Sequence, residues 1–393
     1  MMRAMTTVRA ELELDLFSDA AIVDPYPLYR EVRNRAPAVW LPAHQVWALG
    51  RFADVRAALR ADDVLISGRG VALNDFLNCQ PSATTLTSDG ELHRKRRGLV
   101  MKPMMPSALA EVQPELERLA DALVEELLAR ESFDGIADFA RHLPVAVVSR
   151  LVGLPEAGRE RMLDWAKATF NALGPANARA TAAGASMLEM LRYAAGVERA
   201  RLRANGWASR LFDAVDKGEI EADAVGGLLV DYIAPSLDTT ILGAGSLLYL
   251  LGSHPDEYDR VRANSALIPS AVSEALRLES PVRAFTRLAT KPYQADAVRI
   301  PEGDRVLILY GSANRDERRY ADPDRFDVTR DSRDQLAFGH GVHRCAGGHL
   351  AQLELEALLR ALVARVRRIE VSEPRVLMSN MLRGHESFRG TLS

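Results

Sequence analysis

Cysteine is nearly absent from this sequence: Cys79 and Cys345 are the only two among 393 residues. So few cysteines cannot build the disulfide framework of a small secreted domain, and they fit a reducing compartment. Aromatic residues are also scarce, at 6%, and neither sign of charge is in excess, because the formal net charge is only −3. A protein this close to neutral has no general attraction for nucleic acid or anionic membranes.

The start of the chain lacks the uninterrupted apolar segment of a signal peptide, since residues 1–17 carry three acidic side chains. One stretch, 224–251, is long and apolar enough to resemble a membrane span. Asp231, Pro235 and Asp238 interrupt its middle, which favours a helix buried inside a soluble protein. We therefore expect a cytoplasmic protein without a membrane anchor.

Helical periodicity is the main pattern that the sequence does contain. Between 114 and 131 leucines recur every three to four residues, and a similar apolar stripe over 351–366 predicts a final long helix. Strand-like runs with turn formers occupy 38–70 and 294–310. We find no internal repeat and no Gly/Ser-rich linker. The sequence predicts a mainly α fold with small β-sheets, in a single domain spanning 1–393.

The segment AFGHGVHRCAGGHL, 337–350, places Cys345 among glycines and histidines, immediately before the final helix. A thiolate ligand needs close approach of the backbone, N–H groups that soften its charge, and the positive end of a helix dipole. Zinc would require several Cys or His at short spacing. The pattern favours an axial haem ligand, with a buried structural cysteine or a nucleophile using His343 as its base as the alternatives.

FGHGVHRCAG, 338–347, resembles the ligand loop of the cytochrome P450 family: Phe, two residues, Gly, one residue, a basic residue, one residue, Cys, one residue, Gly. The positions in register are Phe338, Gly341, His343, Cys345 and Gly347, and Gly339 lies between them. The resemblance implies the triangular, mostly α P450 fold. Haem would lie between the long buried helix and the cysteine loop, with Cys345 as the ligand to its iron.

The tetrapeptide EALR contains Glu274 and Arg277, which lie on one helix face at i,i+3. In the P450 family such a pair stabilises the core beneath the haem, and Arg325 in DPDRF resembles its third member. A surface helix pair is the alternative reading of any single E-x-x-R.

HRKRR, 93–97, presents His93 and Arg97 on one helix face at i,i+4. The P450 family uses such a pair to bind a haem propionate, and a buried anionic group needs donors of this kind. By the same resemblance Arg287 and His343 are the other propionate partners. The basic residues 94–96 could form a solvated face or dock an acidic iron–sulfur protein.

On the buried helix, Asp238 and Thr239 resemble the acid–alcohol pair with which the family delivers protons during oxygen activation. A threonine in a helix more often bonds back to the carbonyl four residues earlier. The family usually has small residues where this chain has Pro235 and Ser236. Because proline cannot donate to the carbonyl of Asp231, we expect the helix to kink or widen there.

Stretches such as SGRGVALNDF (67–76), FNALGPAN (170–177) and NMLRGHES (380–387) resemble a bacterial P450 subfamily that oxidises para-substituted benzoates. A compact apolar pocket suits a small planar substrate. The resemblance implies a pocket lined by Val71, Phe76, Phe170, Leu173, Asp231, Ala234, Pro235, Val282, Phe285 and Leu382.

In that subfamily an Arg-Ser pair and a further arginine receive the substrate carboxylate, whereas the corresponding positions here are Val230, Asp231 and Gln80. An aspartate would repel a carboxylate, so a neutral, phenolic or cationic aromatic compound becomes the expected substrate. Two alternatives stay open. Arg283 could bind an anion, and Asp231 could be a buried carboxylate that has no contact with substrate.

The resemblance implies a monooxygenase that inserts one oxygen atom from O2 into a small aromatic substrate, by hydroxylation or O-demethylation. Haem b is the expected cofactor. The chain has no flavin or iron–sulfur motif, so electrons from NAD(P)H should arrive through a [2Fe-2S] ferredoxin and its reductase. We expect a monomer. The rival classes are a haem-thiolate peroxygenase or dehydratase, which Asp238 and Thr239 disfavour, and a non-enzymatic haem sensor.

Overall fold

The structure is a computed structural model that describes residues 10–80, 83–155 and 158–393. In chain order its α-helices are α1 (Asp19–Val23), α2 (Tyr26–Arg35), α3 (Phe52–Ala58), α4 (Asp75–Asn78), α5 (Gly90–Met101), α6 (Pro106–Leu109), α7 (Gln113–Leu128), α8 (His142–Leu151), α9 (Met162–Ala172), α10 (Ala178–Ala195), α11 (Trp207–Asp216), α12 (Ala224–Ile233), α13 (Asp238–Ser253), α14 (Pro255–Ala263), α15 (Ile268–Leu278), α16 (Tyr310–Ala313) and α17 (Gly348–Arg365). The strands are β1 (Val39–Leu41), β2 (Val46–Leu49), β3 (Leu65–Ile66), β4 (Phe133–Asp134), β5 (Ala284–Ala289), β6 (Tyr293–Ala295), β7 (Val298–Ile300), β8 (Arg305–Leu309), β9 (Ile369–Val376) and β10 (His385–Leu392). The predicted class, mainly α with small sheets, is confirmed.

Three small sheets accompany the helices. Five strands pair in the order β1-β2-β8-β5-β3, with β2 and β8 parallel; β4-β10-β9 form a second sheet and β6-β7 a third. Strands β2 and β8 are rich in Val, Ile and Leu because they are buried on both faces.

Strands β4, β5, β9 and β10 lie outside the two segments predicted as β-rich, so the prediction of a helical remainder was wrong there. Strand β9 is a charged edge strand of its sheet, where Pro374 costs no ladder bond. Its mostly exposed side chains give no alternating apolar signal.

The apolar stretch 224–251 forms α12 and most of α13, and all of its leucines except Leu242 lie in the largest core cluster. The break that Pro235 predicts is complete, since residues 234–237 separate the two helices. None of the helices in the described ranges is long and apolar enough to cross a membrane. The final helix also forms as predicted, as α17.

A buried ion pair joins α15 to the irregular chain that leads to Cys345. Glu274 and Arg277 are both 0% exposed and share two hydrogen bonds, of 2.7 and 2.8 Å. Nη1 of Arg277 also donates to the carbonyls of Asn314 (2.7 Å) and Pro323 (2.8 Å). The surface-pair reading is therefore wrong, because both charges are fully desolvated and paired.

The third member of this cluster is Arg330 and not Arg325. Nε of Arg330 donates to Oε1 of Glu274 at 3.0 Å, whereas Arg325 is exposed and offers Arg277 only its main-chain carbonyl, at 3.3 Å. The prediction of Arg325 was wrong because the chain turns after it, which points the later arginine at the buried carboxylate.

Replacing Arg330 with alanine should lower the free energy of unfolding by about 2 kcal/mol, because a buried carboxylate loses a charge-assisted hydrogen bond. Replacing Arg325 with alanine should change it by less than about 0.5 kcal/mol, because the carbonyl bond survives. Urea unfolding followed by circular dichroism compares the two variants. An equal decrease in the free energy of unfolding of both variants would contradict the assignment of Arg330 as the third member of the cluster.

Candidate active site

The loop around Cys345 is closed by its own backbone. The N–H of Cys345 donates to the carbonyl of Phe338 at 2.7 Å. Gly339 and Gly341 have φ angles of 68° and 71°, which disfavour any residue with a side chain. A Cβ at Gly341 would also lie 2.3 Å from the carbonyl oxygen of Leu59. These two glycines are therefore required by the loop geometry.

Two backbone amides donate toward the sulfur of Cys345. Burial raises the pKa of its thiol, while hydrogen bonds from the amides of Gly347 and Gly348 and the nearby cation of Arg97 act in the opposite direction. Such donors spread the charge of a thiolate that ligates a metal. Both cysteines have exposed surface, and the other one, Cys79, directly follows α4.

Helix α5 brings His93 against His343 of the cysteine loop. Their ring centroids are 4.1 Å apart, and the Nε2 atom of each is buried without a hydrogen-bond partner among the described residues. Burial lowers the pKa of His93 to about 4 and also lowers that of His343. Because buried polar groups are nearly always hydrogen-bonded, the unpartnered Nε2 of His93 indicates that a further polar group binds there.

Two arginines complete this donor set. Arg97 donates to the carbonyl of Arg344. Arg287 is 3% exposed, and its Nη1 donates to the carbonyl of Thr286 at 2.7 Å. Both act electrostatically on His343. The four predicted propionate ligands thus share one region beside the cysteine loop. Together with the sulfur of Cys345, which two backbone amides approach, they fit haem.

Asp89 belongs to the same region and was missed in the sequence. Its carboxylate accepts the amides of Ser67 (2.9 Å) and Gly68 (2.6 Å), and Oδ1 lies 3.8 Å from Nε2 of His343. Burial opposes ionisation, but His343 and the two amides lower the pKa of Asp89. Its position directly before α5 was the available signal, because acidic residues favour helix N-termini.

At the break between α12 and α13, side-chain hydroxyls bond to the backbone. Oγ1 of Thr239 donates to the carbonyl of Pro235 at 2.9 Å, and Oγ of Ser236 donates to the carbonyl of Tyr232. Thr239 therefore makes the ordinary bond to the fourth preceding carbonyl in this structure.

Asp238 is the first residue of α13, next to Thr239. Burial raises its pKa to about 7, against the lowering effect of Lys167 and Arg141. A carboxyl group with this pKa can release and regain a proton near neutral pH.

Several predicted pocket residues come together in one apolar cluster. Its members from this set are Phe170, Leu173, Val282, Phe285 and Leu382. They come from α9, the loop after it, the segment before β5, β5 itself and the turn before β10, and Val282 bridges Leu382 directly. Val71 lies beside this cluster, since its carbonyl accepts the amide of Thr286, the residue after Phe285, at 2.8 Å.

Phe76 and Pro235 were also predicted as pocket walls, and both side chains are exposed. Phe76 is 74% exposed on α4, and Pro235 is exposed at the helix break, so their place in the pocket stays a prediction. Ala234, beside it, is 5% exposed and packs in the largest core cluster.

The carboxylate of Asp231 accepts hydrogen bonds from a neighbouring loop. Its Oδ2 accepts the amide of Thr85 at 2.8 Å, and the amide of Leu86 also contributes. Burial raises the pKa of Asp231 to about 6, and the amides lower it less. The alternative of a carboxylate satisfied by N–H groups is the one that the structure shows.

Like the carboxylate of Asp231, the guanidinium of Arg283 is hydrogen-bonded within the protein. It is 3% exposed, and it donates to the hydroxyl of Tyr29 (3.1 Å), the carbonyl of Leu16 (2.8 Å) and the carbonyl of Asn380 (3.4 Å). Its guanidinium therefore ties together three segments of the chain. Gln80, at the other carboxylate-binding position, donates to the carbonyl of Phe76 at 3.0 Å.

The sequence model of the cytochrome P450 family matches residues 208–382. The chain is 37% identical over 382 residues to cytochrome P450 CYP199A2 of Rhodopseudomonas palustris, covering 96% of this chain and 93% of that protein. It is 32% identical to the beta-dihydromenaquinone-9 omega-hydroxylase of Mycobacterium bovis, over 95% of this chain and 77% of that protein.

Solved structures agree with the sequence relatives. Cytochrome P450 CYP109Q5 from Chondromyces apiculatus superposes with a TM-score of 0.83 at 27% identity, covering 98% of both chains. CalO2 superposes with a TM-score of 0.84 at 29% identity, over 97% of this chain and 98% of that one. With its cysteine loop and this similarity along nearly its whole length, the chain belongs to the cytochrome P450 family and is a P450 monooxygenase of the bacterial type.

Proposed function

We propose that this monooxygenase oxidises a small, neutral aromatic substrate, by hydroxylation or O-demethylation. The proposal rests on the observation that the charged groups near the predicted pocket already bind other parts of the chain. Asp231 binds the loop at Thr85, and Arg283 binds Tyr29, Leu16 and Asn380. An ionised substrate would be desolvated in an apolar pocket without a partner for its charge, which is costly.

Haem b, held by Cys345, His93, Arg97, Arg287 and His343, would supply the oxygen-activating chemistry when bound. The protein itself would position the substrate and supply protons. The apolar cluster around Phe170 and Leu382 positions the substrate and excludes water. Asp238 holds a proton below about pH 7, and Thr239 is the adjacent hydroxyl. Hydroxylation is also the activity named for the relative from Mycobacterium bovis.

The electron donor in this proposal is a [2Fe-2S] ferredoxin with its NAD(P)H-dependent reductase. It would dock at a concave surface between α5 and the cysteine loop, which encloses a cavity of about 700 Å³. The surface combines cations with apolar side chains. Of its lining residues, His93 and Arg97 are assigned to haem, and those left for the partner are Arg94, Gly98, Met101, Lys102, Met105, Gly341, Val342 and Arg344. An acidic partner would be steered there by charge and held by apolar contact. We place this reaction in the cytoplasm, where two free cysteines stay reduced.

Titration of the ferric protein with 4-methoxybenzamide should shift the haem from low to high spin, because a fitting substrate displaces water from the iron. The matched carboxylate, 4-methoxybenzoate, has the same shape and should bind at least about tenfold more weakly, since it brings an unpaired charge into the pocket. Optical spectra measure both. Tight binding of the benzoate would show that another group receives the carboxylate.

Replacing Thr239 with alanine should lower the product formed per NADH at least about tenfold and raise peroxide, because the hydroxyl beside Asp238 is lost. Thr239→Ser keeps the hydroxyl and is the matched control. In the unaltered protein, product per NADH should fall as the pH rises through about 7, where Asp238 loses its proton. Unchanged coupling in Thr239→Ala would contradict the proton-transfer role, whereas product formation that consumes no NADH in the unaltered protein would favour a haem-thiolate enzyme that does not activate O2.

Lys102→Glu should raise the KM for ferredoxin about tenfold at low salt while leaving kcat unchanged, because it reverses one charge of the docking surface. Lys291→Glu makes the same change in the exposed turn after β5, outside that surface, and should have no effect. Reductase-coupled NADH oxidation at several salt concentrations measures both variants. An equal response to both would place the docking site elsewhere.

A further inference from the structure

Three asparagines from distant parts of the chain form a closed cluster of amide hydrogen bonds. Asn171 lies in the last turn of α9, Asn177 precedes α10, and Asn380 lies between β9 and β10. Nδ2 of Asn380 donates to the carbonyl of Asn171 (2.8 Å) and to Oδ1 of Asn177 (3.0 Å). The N–H of Asn380 donates to Oδ1 of Asn171 (3.0 Å), and Nδ2 of Asn177 donates to Oδ1 of Asn380 (2.9 Å).

Asn380 is the centre of the cluster and has no unused polar atom. It is 0% exposed, and its carbonyl accepts Nη1 of Arg283 at 3.4 Å, while Nη1 of Arg179 lies 3.5 Å from its Oδ1. The backbone of the intervening loop packs directly against it, because a Cβ added at Gly174 would lie 2.4 Å from the Cβ of Asn380. Any other side chain at 380 would leave several buried partners unsatisfied.

The cluster joins the segments that form the predicted substrate pocket. Phe170 and Leu173 lie within two residues of Asn171, and Leu382 lies two residues after Asn380. All three belong to one apolar cluster. We propose that Asn380 is a positioning residue that fixes these walls relative to one another and thereby limits the size of the molecules that the pocket admits. This inference rests on the proposed function in that Phe170, Leu173 and Leu382 are taken as pocket walls.

Apolar contacts alone would not hold this arrangement. The hydrophobic effect is non-directional, so two apolar walls can slide past each other with little change in buried area. An amide that donates two hydrogen bonds and accepts others fixes both distance and angle. Because α9 and the turn at 380 are about 200 residues apart in sequence, no local backbone constraint can replace this link.

The test compares two ligands that coordinate haem iron through an imidazole nitrogen and need no native substrate: imidazole itself and the bulky azole clotrimazole. In Asn380→Ala the ratio of clotrimazole affinity to imidazole affinity should rise about tenfold, because loosened walls admit the larger molecule. Optical titration of the haem-loaded protein gives both affinities. A protein whose haem spectrum is intact but whose ratio is unchanged would overturn the proposal.

Two further variants separate positioning from general destabilisation. Tyr258→Phe removes a buried hydrogen bond to the carbonyl of Val366 (2.9 Å), far in sequence from the cluster, and should leave the ratio unchanged. A comparable shift in this control would refute the proposal. Asn177→Ser keeps a cap for the amide of Ala180 but loses the amide link, and should shift the ratio in the same direction by less.

If Asn380→Ala does not fold, Asn177→Ser alone decides the matter. The azole result is also independent of the native substrate. A raised ratio without any spin shift from neutral aromatics would retain the positioning role and reject the proposed substrate.

Discussion

The buried ion pair of Glu274 and Arg277 is the interaction on which the cysteine loop depends. Between α16 and α17 the chain runs through more than thirty residues, 314–347, without a strand or an α-helix. Arg277 binds main-chain carbonyls along the first part of this segment, and the side chain of Asn314 accepts the amide of Leu336 at 2.7 Å. Irregular backbone in a protein interior needs such partners. The paired charges of Glu274 and Arg277 therefore stabilise the first part of the segment that leads to Cys345.

The parts of the site that could be predicted from sequence are those with local physical signals. The glycines around Cys345 mark backbone positions with positive φ, and Pro235 marks a helix that cannot continue. The i,i+4 spacing of His93 and Arg97 places both on one face of α5, so their joint approach to the cysteine loop follows from the helix alone.

The remaining features depend on how the chain folds back on itself. Arg325 and Arg330 are equally plausible partners for Glu274 in sequence, and only the turns after Asp322 decide which side chain reaches it. Asp231 bonds to a loop 146 residues away, which no pattern within α12 reveals. Asn380 and Asn171 look like ordinary turn residues until tertiary packing brings them together. Sequence periodicity does not reveal long-range polar contacts of this kind, because the partners lie far apart in the chain and recur at no regular spacing.

The buried Nε2 of His93, which has no hydrogen-bond partner in the part of the chain that the structure describes, has a consequence for the amount of the protein in the cell. Burying polar atoms without partners costs free energy, and a ligand that binds the folded state repays that cost in proportion to its concentration and affinity. A chain built in this way is more stable when its prosthetic group is bound. Since marginally stable chains are removed by proteases, the amount of this protein in a cell should follow the supply of haem as well as the rate of its own synthesis.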